Sequence, residues 1–121
     1  MAKCDEGYFC QVCGKDVSSI TDSDLYLRYV IGELDPEVLH TTPERHLRCN
    51  PVLAQFIDDP AFQPVIVNGP MSRTELSADY VRARVELVTQ GYQRLQQIQT
   101  NQITNLTEYP LPQAQSKYRS C

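Results

Sequence analysis

The chain is poor in most of the features that announce a function. Over 121 residues it has no Trp, two His and only 41% hydrophobic residues, below the roughly 45–50% usual in globular proteins. No apolar run approaches the roughly 18–20 residues of a membrane span; the longest, such as Val65-Ile66-Val67, are far shorter. Met1-Ala2-Lys3-Cys4-Asp5-Glu6-Gly7 is followed by no apolar stretch, so no secretory leader is expected and the cytoplasm is the expected compartment. There the Asn105-Leu106-Thr107 sequon is a chance match. Disulfides are rare in that compartment, and clustered cysteines more often bind metal or do redox work.

Catalytic patterns are missing as well. There is no Gly-rich phosphate loop, no Gly-x-Ser-x-Gly and no His-Glu-x-x-His. A His-Asn-His type nuclease needs several histidines near a strand, and His40 with Thr41-Thr42 lacks that set. Asp58-Asp59 is read as a solvated helix end rather than a catalytic carboxylate pair. A small zinc-dependent hydrolase or nuclease is therefore the weakest of the functional readings. Basic excess is missing too. The net charge is −4, and residues 1–60 carry 11 acids against 5 bases while residues 61–121 carry 4 against 6. Phosphate neutralisation supplies most nucleic-acid affinity, so nucleic-acid binding ranks below protein binding. Its basic face would be Arg45, Arg48, Arg73, Arg82, Arg84 and Arg94.

What the chain does have is five cysteines. Cys10-Gln11-Val12-Cys13-Gly14 places two residues between two thiols, a spacing that lets a tight turn present both sulfurs to one tetrahedral ion. Gly14 suits the positive φ of such a knuckle, and Phe9 and Val12 are expected to shield it. His46 and Cys49 follow at a spacing of i, i+3, which on a helix puts both on one face. The Thr42-Pro43 cap would start that helix. Three thiolates and an imidazole suit Zn²⁺, with iron second, and four filled positions define a closed, structural site. Cys4 or His40 can substitute for His46 in the ligand set. A thioredoxin-type redox use of Cys10 and Cys13 needs a long helix after the motif, and Gly14-Lys15-Asp16-Val17 looks like a turn instead. Cys121 is expected to be idle.

These residues, Cys10, Cys13, Gly14, His46, Cys49 and the Thr42-Pro43 cap, resemble the treble-clef zinc superfamily over roughly residues 8–58. The resemblance implies a structural Cys₃His zinc site and no particular activity. The chain departs from simple treble clefs by holding a capped helix, rather than a β-hairpin, in the 32 residues between Cys13 and His46.

Elsewhere the signals are helical. Thr21 with Asp24 forms an acidic capping box, Ile20 and Leu25 a hydrophobic staple, and Gly32 ends or weakens the first helix. Short helical pieces are expected near 36–40, 43–49 and 51–58. Gln63–Pro70 reads as an edge or isolated strand between prolines. A long helix spans 77–103 from a Ser77 cap, with Val81, Val85, Val88, Tyr92 and Leu95 at heptad-type spacing. Its glutamine-rich distal half is expected to protrude, fray or await a partner. In Tyr109-Pro110-Leu111-Pro112 the prolines favour an extended form.

The whole predicts a small α-rich domain (α+β minor) stapled by zinc: a treble-clef-like knuckle, several short helices, one long C-terminal helix and a tail. Residues 1–76 form the zinc-binding domain, 77–103 the helix packed on it, and 104–121 an extended or disordered tail. The expected activity is that of a non-catalytic adaptor, assembly or regulatory factor. Arg82, Arg84, Tyr92, Leu95, Tyr109 and Leu111 would be its partner-binding residues, and it would be a monomer or a helix-mediated dimer.

Overall fold

The structure, a computed structural model, describes residues 9–17, 19–39, 41–103, 105 and 108–119. Among them are four α-helices: α1 (Asp24–Val30), α2 (Pro51–Ala54), α3 (Ala78–Asn101) and α4 (Pro112–Arg119). Three 3-10 turns, Ile20–Asp22, Pro36–Val38 and Leu47–Cys49, fill the connections. No β-strand occurs among the described residues; the extended pairing amounts to two isolated bridges, Phe9 with Asp16 and Ser23 with His46.

Helix α1 is the centre of the molecule. Leu25, Tyr26, Leu27, Tyr29 and Val30 are all buried, with Arg28 left partly exposed. A helix that is apolar nearly all round is one enclosed by the rest of the chain. Its cap is Ser23, whose Oγ accepts from the Tyr26 amide at 3.0 Å, and not Thr21, which lies in the preceding 3-10 turn. At the other end Gly32 adopts φ +87°. The Gly32 amide donates to the Tyr29 carbonyl and the Glu33 amide to that of Arg28, the two bonds of a Schellman ending that only a residue tolerant of positive φ completes.

Helix α3 begins at Ser77 as expected, with the Ser77 Oγ accepting from the Tyr80 amide at 3.3 Å. It crosses α1 face to face at Gly91. A Cβ built at Gly91 would lie 2.9 Å from Leu27 Cδ1 and closer still to Ile31 Cγ2. The expected apolar seam is used within the protein: Val88, Tyr92 and Leu95 are buried, and Val81 and Val85 pack against the same core. The distal half does not protrude. Ile98, 3% exposed, extends the buried face three residues beyond Leu95, whereas the next step of four in the heptad spacing, Gln99, is exposed. Gln99 instead donates to Ser19 Oγ at 3.1 Å.

Two expectations about irregular segments are corrected. Residues 63–68 pair with no other segment of the described chain and form no strand. Of the expected tail, the described residues 108–119 are not loose. Tyr109, Pro110 and Leu111 are buried, the Tyr109 ring meets that of Tyr26 at 5.8 Å, and the Leu111 amide donates to the Val30 carbonyl at 2.9 Å. Arg94 grips the segment through the carbonyls of Tyr109 and Glu108. Pro112 then opens α4 rather than preventing it, because a proline at the first helical position lacks only an N–H with no helical partner. Ala114 of α4 is also buried.

Gly91→Ala is expected to destabilise the protein. Leu27 is fully buried and Ile31 is 5% exposed, so neither side chain can swing clear. Overpacking of this kind costs about 1–3 kcal/mol, more than the ~1 kcal/mol of helix propensity that alanine brings. A lower urea midpoint with an unchanged slope is the measurement.

Candidate metal centre

The first ligand pair sits on a tight knuckle. The Cys10 amide donates to the Lys15 carbonyl and the Gly14 amide to the Cys10 carbonyl, each at 2.9 Å. Gly14 turns the chain at φ +75°, and the Phe9–Asp16 bridge closes the base. Cys10 is buried with Val17 and the partly buried Cys49 in a small satellite cluster apart from the main core.

The second pair comes from residues 44–50. His46 is not inside a helix; it stands at the entry of the Leu47–Cys49 turn, where the Cys49 amide donates to the His46 carbonyl at 3.0 Å. That single 3-10 turn still sets the two side chains side by side. Pro43 and Arg45 flank it in irregular chain instead of starting a helix. Leu47, fully buried, pins the turn to the main core.

Two buried acids position this segment against α1. Glu44, 3% exposed, accepts from Ser23 Oγ at 2.8 and 2.9 Å, the Leu25 amide at 3.2 Å and the Arg45 amide at 3.0 Å. Its carbonyl accepts from the Gln11 amide at 2.9 Å, which docks the knuckle. Burial holds the Glu44 carboxyl above the usual carboxylate range, against the opposing pull of the Ser23 hydroxyl and the two amides. Asp24, fully buried, is paired with Arg28 and Arg45 at 3.0 Å each and accepts from Asn50 Nδ2 at 2.7 Å.

The result is that one donor atom from each of Cys10, Cys13, His46 and Cys49 lies within 4.8 Å of the other three. Adjacent ligands on a tetrahedral zinc ion with Zn–S of about 2.3 Å are roughly 3.8 Å apart, so the group is close to a coordination shell in size and composition. His46 is oriented for the task. Its Nε2 lies 2.9 Å from the Asp16 carbonyl, which can only accept. That nitrogen therefore carries the proton in the neutral ring, leaving the Nδ1 lone pair facing Cys13 Sγ at 3.3 Å and Cys49 Sγ at 3.9 Å. A carbonyl on the far nitrogen is the usual support of a metal-binding histidine.

The thiols share charge unequally. Burial raises Cys10, but hydrogen bonds from the Cys13, His46 and Val12 backbone and from the Cys49 thiol outweigh it and bring it down to about 6. Cys49 is pushed up to about 11, first by burial and then by donating to the Cys10 and Cys13 sulfurs. For His46, burial lowers the ring, but the Asp16 carbonyl and the neighbouring sulfurs outweigh it and leave it above its ordinary value.

Other expected site residues fall elsewhere. Cys4, His40 and Cys121 lie outside the described residues. Tyr92, Leu95, Tyr109 and Leu111 are corrected from partner surface to core, all being 8% exposed or less. Arg84 pairs with Glu33 and lies over the Phe56 ring, while Arg82 is exposed and pairs with Asp79 at 3.5 Å. Phe9 and Val12 do not shield the site; they are 65% and 60% exposed. Asp16, Val17 and Glu44 were not anticipated, because their contributions are a backbone carbonyl, a packing contact and long-range hydrogen bonds that no local spacing reveals.

No family model matches the chain, and no curated protein or solved structure is significantly similar to it.

Removing Glu44 as Glu44→Ala leaves the buried Leu25 amide, the part-buried Arg45 amide and the Ser23 hydroxyl proton without an acceptor and is expected to cost about 3 kcal/mol in denaturant unfolding. Metal uptake is expected to release protons, since the Cys49 thiol at about 11 is protonated at neutral pH and must lose its proton to bind. Calorimetric enthalpies of Zn²⁺ binding measured in buffers of different ionisation enthalpy should differ accordingly. Acidification through and below about pH 6, where the Cys10 thiolate takes up a proton, should weaken binding in a chelator competition.

Proposed function

We propose that this protein is a small zinc-stapled module, with Cys10, Cys13, His46 and Cys49 holding a structural Zn²⁺ in a treble-clef-like arrangement. The observation that carries this reading is the convergence of the four donor atoms within 4.8 Å. Three soft thiolates and one imidazole favour Zn²⁺ among the common divalent ions. When bound, the ion would join the knuckle to the Leu47–Cys49 turn, and with four protein ligands it would keep no place for a reactive water.

The biochemical role we assign is that of a cytoplasmic adaptor, assembly or regulatory factor that binds a protein partner and performs no catalysis. Support comes from what remains at the surface. Phe9 and Val12 project beside the metal-ligating residues, 65% and 60% exposed. The arginines that would form a nucleic-acid face are largely engaged within the chain. Arg45 pairs with Asp24, Arg73 with Asp58 and Arg84 with Glu33. Arg94 and Arg48 donate to backbone carbonyls.

Purified protein is expected to hold about one Zn²⁺ per chain. The cobalt-substituted form should show tetrahedral thiolate–imidazole absorption, and Cys13→Ser should lose both metal and cooperative folding. A folded wild-type chain without metal, indifferent to added Zn²⁺, would refute the metal reading. Steeply salt-dependent DNA or RNA binding near physiological salt would refute the protein-partner reading in favour of the nucleic-acid one.

A further inference from the structure

Residues 63–68 have the composition and the burial pattern of a β-strand, yet have nothing to pair with among the described residues. Val65 and Val67 are half-buried, Val65 against the main core, while Ile66 between them is 79% exposed. That alternation is the period of a strand with one face docked. No backbone amide or carbonyl of residues 64–68 bonds to another described residue. The run is anchored at both ends: Phe62 and Ser72 are buried, and Arg48 donates to the Gln63 carbonyl at 3.0 Å. Exposed β-branched chain with open backbone groups is a template for strand addition.

We infer that Pro64–Asn68 is an interaction edge, and that its occupant is the same segment of a second copy of this chain, paired antiparallel about a two-fold axis at Ile66. Three observations choose this occupant. Residues 60–72 carry no charged side chain, so two copies meet without like-charge repulsion, and the run offers no charged group by which to select a foreign sequence. An antiparallel pair centred on Ile66, the midpoint of Pro64–Asn68, sets the most exposed large apolar side chain among the described residues against its own copy and covers both. Pro64 and Pro70 lack amide donors and limit the ladder to the residues between them, and a two-fold contact uses the same edge of both copies, so the pair closes at two chains. The seam of α3, the other candidate for self-association, is already buried in the protein's own core. This inference goes beyond the metal reading and does not depend on it.

Sedimentation equilibrium of the metal-loaded full chain tests it. The weight-average mass should rise with concentration toward twice the monomer value, and Ile66→Lys should hold it at the monomer. Ile66 touches no core residue closely enough to be buried, so the variant should keep the wild-type urea midpoint and metal content. A register test is independent of that variant. Residues directly opposite in an antiparallel pair have Cα atoms about 4.5–5.5 Å apart, within disulfide reach. Ile66→Cys should therefore cross-link to its copy under mild oxidation. Asn68→Cys should not, since two residues four positions out of register lie roughly 13 Å apart; wild-type protein reports any linkage through the native cysteines. A monomer at every concentration, a dimer untouched by Ile66→Lys, or cross-linking at position 68 as strong as at 66 would each overturn the proposal.

Discussion

The Glu44 carboxylate is the tie on which the arrangement of this protein depends. It is enclosed, and its oxygens are matched by a serine hydroxyl and two backbone amides at the start of α1 and at Arg45. Its own carbonyl takes the Gln11 amide. One residue thus joins three separate pieces: the cap of the central helix, the segment carrying His46, and the knuckle carrying Cys10. Burying a carboxylate without such partners is strongly unfavourable. The segment can therefore settle against α1 only in the register that supplies those donors, and that register aims His46 and Cys49 at the knuckle. Asp24, with Arg28, Arg45 and Asn50 around it, repeats the constraint one residue along.

Apolar packing is distributed unevenly around this tie. The main core gathers α1, α3, the Leu47 and Leu53 side chains and the Tyr109–Ala114 segment into one cluster. The knuckle has only Cys10 and Val17 buried with Cys49 beside them. In the zinc-bound reading, coordination at the knuckle takes the place that hydrophobic burial holds elsewhere, and structural zinc in small domains contributes on the order of 10 kcal/mol of binding free energy. The same economy explains the exposure of Phe9 and Val12. In that reading a turn held by metal and backbone bonds has no need to bury them.

The parts of this structure that were legible in the sequence are those specified by neighbours a few residues apart. The Cys10–Cys13 spacing, Gly14 at positive φ, the Ser77 cap and the apolar face of α3 are local signals, and each is present as read. Local signals that competed were misassigned. Thr21 and Ser23 can both cap, and Ser23 prevails because Glu44, far along the chain, accepts its hydroxyl proton. Val65-Ile66-Val67 has strand composition, but a strand needs a partner, and the described chain has none to offer. The Tyr109–Leu111 segment reads as part of an extended or disordered tail, because its burial rests on Tyr26, Val30 and Arg94, between 15 and 83 residues away. For the metal group the residue types were readable; the orientation of His46 was not, since a backbone carbonyl sets it and carbonyls leave no mark on the sequence.

The bond from the Leu111 amide to the Val30 carbonyl bears on the order in which the protein can assemble during synthesis. Domains tend to fold from the amino-terminal side as the chain emerges. Everything that builds the Cys10, Cys13, His46 and Cys49 group, from Phe9 to Leu53, precedes α3 in the chain. By contrast, α1 stays uncovered at its carboxyl end until residues 108–114 have emerged and α3 has already laid down the Arg94 grip. The nascent chain therefore passes through a stage in which the stapling residues are complete while the central helix still exposes Tyr26 and Val30. Metal acquired at that stage would hold the early half in register while the late half arrives to close it.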